Sequence, residues 1–553
     1  MEIPTRFRFT PWVLAGSIMI MGGCGIVYEY TLGALGNNLI GSSHEQIFVI
    51  IGLMMFAMGI GATLQRNITG LLLDKFLLLE ILLGLVGGVS ALVIYATFAY
   101  TTSYRITMYG FAMLIGVLIG LEIPMVIRIN AEYSKNLRTN LSQILCMDYV
   151  GALAGALLFT YVFLSTVSME RITLVIGGVN MLIGIAGLLF FWPLVRWRHS
   201  LMAFSFAGLL ILGLMLARAD SWMSSLEQRC FRDPIILSET SRYQHVVMTK
   251  RNDTVSLFLN GQLQFCSKDE EIYHEMLVHV PMSGAKNRRR VLILGGGDGL
   301  ALRDVLRYGD VEHVTLVDLD PLMTELATTH PELIRMNESA FHDPRLSRPA
   351  PKGIQPGGEE DIYQNANLET ALKNPPVYRV ASVQVLNVDA DQFVRGTQGP
   401  FDVVLIDFPD PRSIELAKLY SVDFYQALKS QLAPDAIVSI QSASPYHARK
   451  VFLCIGKTLR EAGFNVLPYR QNVPSFGEWG WHLAWRSGET PEEMKQRLCK
   501  LQSFQVPTRY LTVELLPSAF AFGKGWLDTE EIRPNSKLRP VILKYYRIAW
   551  ERG

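Results

Sequence analysis

Cysteine is scarce in this chain of 553 residues, and the six that occur, Cys24, Cys146, Cys230, Cys266, Cys454 and Cys499, show no metal-ligand spacing. We therefore expect free thiols, no metal and no prosthetic group. An excess of charge of one sign is also missing. The formal net charge is +1, which argues against a nucleic-acid binder, since such proteins carry a basic excess or patch. No serine or cysteine nucleophile constellation stands out either. Apolar residues, by contrast, make up 50% of the chain, too many for an ordinary soluble protein, and the length exceeds one domain.

The apolar excess lies before about Trp222. Seven long runs come near the ~20 residues that a bilayer helix needs: about Pro11 to Leu32, Ile47 to Leu64, Leu71 to Ala99, Ile106 to Ile127, Cys146 to Val167, Ile172 to Leu194 and Leu201 to Ala217. Small residues such as Gly151, Ala152, Ala154, Gly155 and Ala156 let helices approach closely in lipid. The first run is not read as a signal peptide, because more spans follow it directly. A multi-pass bundle in the cell membrane is expected. Arg6, Arg8, Arg66, Lys75, Arg128, Lys135, Arg138, Arg196 and Arg198 flank one side, against Arg105 and Arg171 on the other, which places the amino terminus in the cytoplasm. Seven crossings would then leave the rest of the chain outside. The last run is the shortest, and if it lay at the interface the soluble part would return to the cytoplasm.

From Phe231 the texture becomes α/β. Tyr243 to Lys250 and Ser256 to Gln264 read as strands, with Asn260 and Gly261 as a hairpin-type turn. Strands at Val291 to Leu294, Val314 to Asp318, Val383 to Val388, Val403 to Ile406 and Ile437 to Gln441 alternate with helices, the order of a largely parallel, Rossmann-like sheet. The division expected is a transmembrane helical bundle at 1–222, a linker and small β subdomain at 223–285, a Rossmann-like domain at 286–490 and a tail at 491–553 that packs back on it. A proline-rich insertion, about 346–380, interrupts that domain.

The stretch VLILGGGDG, Val291 to Gly299, is a strand feeding a glycine-rich turn, where backbone can approach a nucleotide closely. The next strand ends in Asp318 and Asp320, placed to offer a carboxylate to ribose hydroxyls. Asp298 inside the turn would repel a phosphate, so it favours a cationic ligand. The run FDVVLIDFPDP puts Asp407 and Asp410 on the turn leaving another strand, a pair able to grip a di-cation and to serve as a general base. A further cluster, Gln264, Asp269, Glu270, Tyr273, His274 and Glu275, precedes the sheet. Ser267 with Glu270 makes a plausible capping box there, and His274 reads equally well as a structural histidine.

Taken in order, Tyr243-Gln244, NGQLQ, DEEIYHE, GGGDG, VDLD, Asp389-Ala390, DFPDP, Leu419-Tyr420 and VPSFGEWGW resemble the spermidine synthases, or polyamine aminopropyltransferases, above all the bacterial form with an amino-terminal membrane bundle. The resemblance covers about Ile235 to Trp485. It implies transfer of an aminopropyl group from decarboxylated S-adenosylmethionine, a co-substrate, to putrescine, giving spermidine and methylthioadenosine. It further implies that Asp407 accepts the proton, and that Asp410 holds the diamine with Gln441 and Tyr273 lining its channel. His274 and Asp298 match positions on the polyamine or the aminopropyl arm. Gln244, Gly296, Asp298, Asp318, Asp389 and Ala390 would meet the donor. The chain departs from soluble members by Asp318 in place of Glu, by Phe476 near a usual tyrosine, and by Ser413-Ile414 in place of a second proline, changes that bear on which amine is gripped. The expected partners are a polyamine and the lipid bilayer, with a homo-oligomer left open and a cytoplasmic catalytic face. Two rivals stand beside this reading: a methyltransferase on the same sheet, and a membrane polyamine transporter or sensor using Glu29, Glu122 and Asp148.

Overall fold

The structure, a computed structural model, describes residues 10–40, 45–131, 137–342, 382–396, 399–486 and 488–550. The expected insertion at 346–380 lies outside them. The chain divides into two compact units, 1–235 and 236–553.

The first unit is helical: α1 Thr10–Ile40, α2 Glu45–Leu64, α3 Leu72–Tyr100, α4 Tyr104–Ala131, α5 Leu137–Leu158, α6 Met169–Phe190 and α7 Arg198–Cys230. All 7 are long and apolar enough to cross a membrane. The seventh is not the shortest, as its apolar run suggested. It spans 33 residues, because the polar stretch that follows Ala217 is rich in good helix formers and simply continues the spiral. Glycine sets the packing. A Cβ on Gly151 of α5 would lie 1.7 Å from the Met19 carbonyl of α1, and one on Gly120 of α4 2.1 Å from the Met58 carbonyl of α2. Such contacts let backbones touch where lipid offers no hydrophobic drive to bring helices together. Large apolar side chains point outward, among them Tyr149, Leu153, Phe206 and Leu210.

The second unit begins with a four-stranded sheet in the order β1 Ile235–Thr240, β2 His245–Arg251, β3 Thr254–Leu259, β4 Gln262–Cys266. Asn260 and Gly261, at φ 50° and 75°, make the tight turn between β3 and β4. A seven-stranded sheet follows, built from β5 Arg290–Gly295, β6 His313–Asp318, β7 Ser382–Asn387, β8 Phe401–Asp407, β9 Leu432–Gln441, β10 Asn465–Val473 and β11 Gly477–Trp485, in the order β10-β11-β9-β8-β5-β6-β7. β5 to β9 pair in parallel, as their apolar runs indicate. The antiparallel hairpin β10–β11 was not foreseen as strands.

The period of two decides what each strand buries. Leu292, Leu294, Val404 and Ile406 enter one core, and Val291, Ile293, Val403 and Leu405 enter the other. Each such side chain contributes about 1.5–3 kcal/mol on full burial. The helices used below are α8 Glu270–Gly284, α9 Leu300–Val305, α10 Pro321–Thr329 and α11 Val541–Trp550. Within the second unit the last part of the chain packs in two places: Leu511, Leu516 and Phe520 form a further cluster with Tyr469 and Trp481, while Ile542 and Leu543 of α11 join the first core beside Phe424 and Phe452.

Candidate active site

From β5 the sheet grows in both directions, through β6 to β7 and through β8 to β9, so the carboxyl ends of β5 and β8 border a topological switch point. The glycine turn is fitted to that crevice. A Cβ on Gly295, at φ 84°, would come within 2.3 Å of the Asp407 carbonyl, and one on Gly297 within 2.7 Å of the Asp318 carboxyl. Only glycine lets β5 end flush against both neighbours.

On the β6 side, Asp318 accepts from the Gly297 N–H at 3.0 Å and from the Asp320 N–H at 2.8 Å. Desolvation outweighs those bonds and, with Asp298 and Asp320 nearby, pushes its carboxyl up to about 6. Asp320 caps α10 by accepting from the Leu322 N–H at 3.1 Å. Its other oxygen takes Ser241 Oγ and Gln244 Nε2, each at 2.8 Å. Gln244 is thus brought to the end of β6. Beyond β7, Asp389 caps a short helix through the Asp391 N–H at 2.7 Å and pairs with Lys418 at 2.6 Å. Ala390 follows it, 8% exposed.

On the β8 side, the Tyr273 hydroxyl of α8 donates to Asp407 Oδ1 at 2.5 Å. Desolvation, with Asp407 adding to it, pushes the Tyr273 phenol well up, so it remains a donor. Its ring sits 5.0 Å from His274, 5.5 Å from Trp481 and 6.2 Å from Phe476. Asp410 is reached by Gln441 Nε2 at 3.4 Å and hydrogen-bonded by Tyr546 of α11, with the Arg412 charge near. Desolvation prevails and raises it to about 6. Gln441 Nε2 also donates to the Phe408 carbonyl at 2.5 Å and to Tyr420 Oη at 2.8 Å.

Asp298 lies between the two sides. It accepts from the Leu300 N–H at 2.9 Å and is raised to about 6 by desolvation and by Asp407, against the pull of His274. His274 Nδ1 is 2.9 Å from Glu270 Oε2, and Arg303 of α9 reaches the same carboxylate at 2.7 and 3.1 Å. Burial would lower the His274 imidazole, but Glu270, Asp298 and Asp407 raise it to about 9. Burial would likewise raise Glu270, which His274 and Arg303 hold down at about 2. The histidine is therefore clamped from behind by Glu270 while it faces the acids of the crevice.

Other members of the acidic cluster work elsewhere. Glu275 accepts from the Arg509, Tyr510 and Leu511 N–H groups at 2.5, 3.0 and 2.7 Å and fastens the tail. Asp269 accepts from the Ser475 N–H at 2.6 Å and so holds the β10–β11 turn beside Tyr273. Gln264 bonds carbonyls of its own strand. The expected Ser267–Glu270 capping box does not form. Ser267 Oγ accepts from the Val255 N–H at 2.9 Å instead, Glu270 is taken by His274 and Arg303, and Asp269 occupies the cap position.

A family model described as the spermine/spermidine synthase domain matches residues 270–355 and 367–496. Polyamine aminopropyltransferase 2 of Ralstonia nicotianae is 36% identical over 97% of this chain and 98% of its own length. Polyamine aminopropyltransferase 1 of Streptomyces coelicolor is 37% identical over 98% of this chain and 95% of its own. This chain belongs to the polyamine aminopropyltransferases. Both relatives align with the helical unit as well as the α/β unit. The crystal structure of spermidine synthase from Thermotoga maritima matches 53% of this aminopropyltransferase and 87% of that chain, at 24% identity and a TM-score of 0.41.

The family uses decarboxylated S-adenosylmethionine as aminopropyl donor and a polyamine as acceptor. An aminopropyltransferase is an enzyme, which sets aside both the methyltransferase and the non-catalytic alternatives. Three residues around this crevice escaped the sequence reading: Arg303, Arg412 and Tyr546. Arg303 left a signal, being a charge within the otherwise apolar start of α9. Tyr546 left none, since its helix returns to Asp410 from the far end of the unit.

Proposed function

We propose that this aminopropyltransferase makes spermidine and methylthioadenosine from decarboxylated S-adenosylmethionine and putrescine. In this reading the adenosyl part of the donor lies toward Asp318, with Gln244, Gly296, Asp389 and Ala390 beside it, and the aminopropyl arm passes Asp298. Putrescine runs along Tyr273, His274 and Gln441, with one amine at Asp407 and the other at Asp410. Asp407 takes a proton from the attacking amine, whose lone pair then forms a bond to the propyl carbon next to sulfur. The carbon–sulfur bond breaks and its electron pair stays on sulfur, so methylthioadenosine leaves uncharged. A sulfonium is already a good leaving group, which makes alignment and proton removal the main tasks of the protein.

The observation that carries the reading is the convergence of Asp298, Asp407 and Asp410 on one crevice, with Tyr273 oriented on Asp407 at 2.5 Å. Three carboxyl groups suit two cationic substrates and would repel a phosphate. The catalytic face is placed in the cytoplasm, where the nucleoside donor is made. With all seven helices crossing, this puts the amino terminus outside, against the lysine and arginine asymmetry, and labelling of single cysteines at either end in intact cells decides between them.

The test is product analysis of the purified full-length protein given the donor with putrescine, cadaverine or spermidine in turn. Equal amounts of methylthioadenosine and spermidine with putrescine, at a higher kcat/KM than with the other amines, are expected. Preference for another amine would move the acceptor assignment and leave the reaction class standing.

A further inference from the structure

The helical unit holds acids of its own. Glu80 of α3 and Glu122 of α4 are 0% and 3% exposed, and their carboxyl groups face one another. Both oxygens of Glu80 and Oε1 of Glu122 lack any hydrogen-bond partner other than the facing carboxyl group. Next to them Tyr28 of α1 and Asn180 of α6, both 0% exposed, face each other, and the Tyr28 hydroxyl and both amide atoms of Asn180 have no hydrogen-bond partner besides one another. The Tyr28 ring is seated against Gly87 of α3, where a Cβ would come within 2.4 Å of it. All four side chains leave the interior stretches of apolar helices, far from the helix ends. Among the described residues no lysine, arginine or histidine pairs with either glutamate.

Unpaired polar groups at such depth are costly, and ionisable ones within membrane helices mark ligand or ion paths. We propose that Glu80, Glu122, Tyr28 and Asn180 form a binding site for a protonated amine inside the helical bundle. The carboxylates supply the countercharge, and their oxygens with Asn180 Oδ1 and Tyr28 Oη supply the acceptors that the N–H groups of an ammonium require. A multivalent metal fits less well, since the described residues contain no group of three or more His, Cys, Asp or Glu able to hold one. The choice of a polyamine as that amine rests on the acceptor reading given above. The site would let the bundle respond to the compounds that the α/β unit consumes or makes.

The experiment is equilibrium binding of radiolabelled putrescine and spermidine, without donor, to the full-length protein in lipid nanodiscs. Wild type is compared with Glu80→Gln/Glu122→Gln, with Asn180→Ala, and with each of these in an Asp410→Asn background that weakens the catalytic site. One amine per chain at the catalytic site and a second in the bundle are expected. The bundle variants should weaken the second by about tenfold or more and keep aminopropyl transfer, which also reports that they fold. If the double variant loses transfer, the uncharged change Asn180→Ala decides. A single amine in wild type, an undiminished second amine in the folded variants, or its displacement by equimolar sodium would overturn the proposal. Failure of the acceptor reading looks different: Asp410→Asn would then leave amine binding unchanged while the bundle variants still lower it.

Discussion

In the α/β unit the half-buried carboxyl of Asp318 is met by the Gly297 and Asp320 N–H groups, and Asp298 by the Leu300 N–H. In the helical unit Glu80 is wholly buried and, among the described residues, meets no backbone N–H, only the carboxyl of Glu122. The difference is one of available donors. Backbone N–H groups at a strand end or helix start are free to orient an acid, whereas within a membrane helix they are all spent on the helix itself. An acid at a strand end is therefore pre-aimed, and one inside a bundle waits for a cation.

The largest effect expected from breaking the first arrangement is at Asp407. Asp407→Asn should lower kcat about 10²–10⁴-fold, the usual worth of a positioned base, with little change in stability, read by single-turnover product formation. Next comes Arg303→Met, which leaves Glu270 buried beside a lone His274. A loss of about 3–5 kcal/mol of stability is expected, together with a His274 pKa raised further, measured by NMR, because a cation that competes for Glu270 is gone.

A smaller effect concerns pH. Asp298, Asp318 and Asp410 are raised to about 6, above the ~3.9 of an unfolded chain. Raised acids contribute stability that is full below the unfolded value and lost as pH rises through the folded one. The ligand-free protein should thus gain melting temperature as pH falls from about 7 to about 5, while kcat/KM falls over the same interval because the acids lose the charge that holds the substrates. A flat melting profile would contradict these environments. Smallest is the pair that contrasts the units directly: Asp318→Asn should cost about 1–3 kcal/mol by turning a donor toward an N–H, and Glu80→Gln, without amine, should cost nothing measurable in thermal melts.

Much of this was legible in the sequence because the decisive groups are local. VLILGGGDG, VTLVDLD and FDVVLIDFPDP each write a buried strand and the acid at its end in one continuous run, so β5, β6 and β8 and the carboxyl groups of Asp298, Asp318, Asp407 and Asp410 could be placed on one edge. The hairpin β10–β11 was hidden because Pro468, Arg470, Gln471 and Asn472 dilute the strand pattern of an edge strand. Pairings across the chain were hidden too. Nothing near Glu270 says that Arg303 will claim it ahead of Ser267, nothing near Glu275 says that it will hold the Arg509–Leu511 backbone, and Glu80 in the third apolar run gives no sign that it meets Glu122.

The central claim is that one crevice binds donor and acceptor at separate acids, the nucleoside of the donor toward Asp318 and the amine toward Asp410. Calorimetric titration of methylthioadenosine and of putrescine into Asp318→Asn and Asp410→Asn tests it. A crossed pattern is predicted, with nucleoside binding weakened only by Asp318→Asn and putrescine binding weakened about 10- to 100-fold by Asp410→Asn, the worth of a charge-assisted bond. Equal losses of both ligands in both variants, or none, would contradict the account.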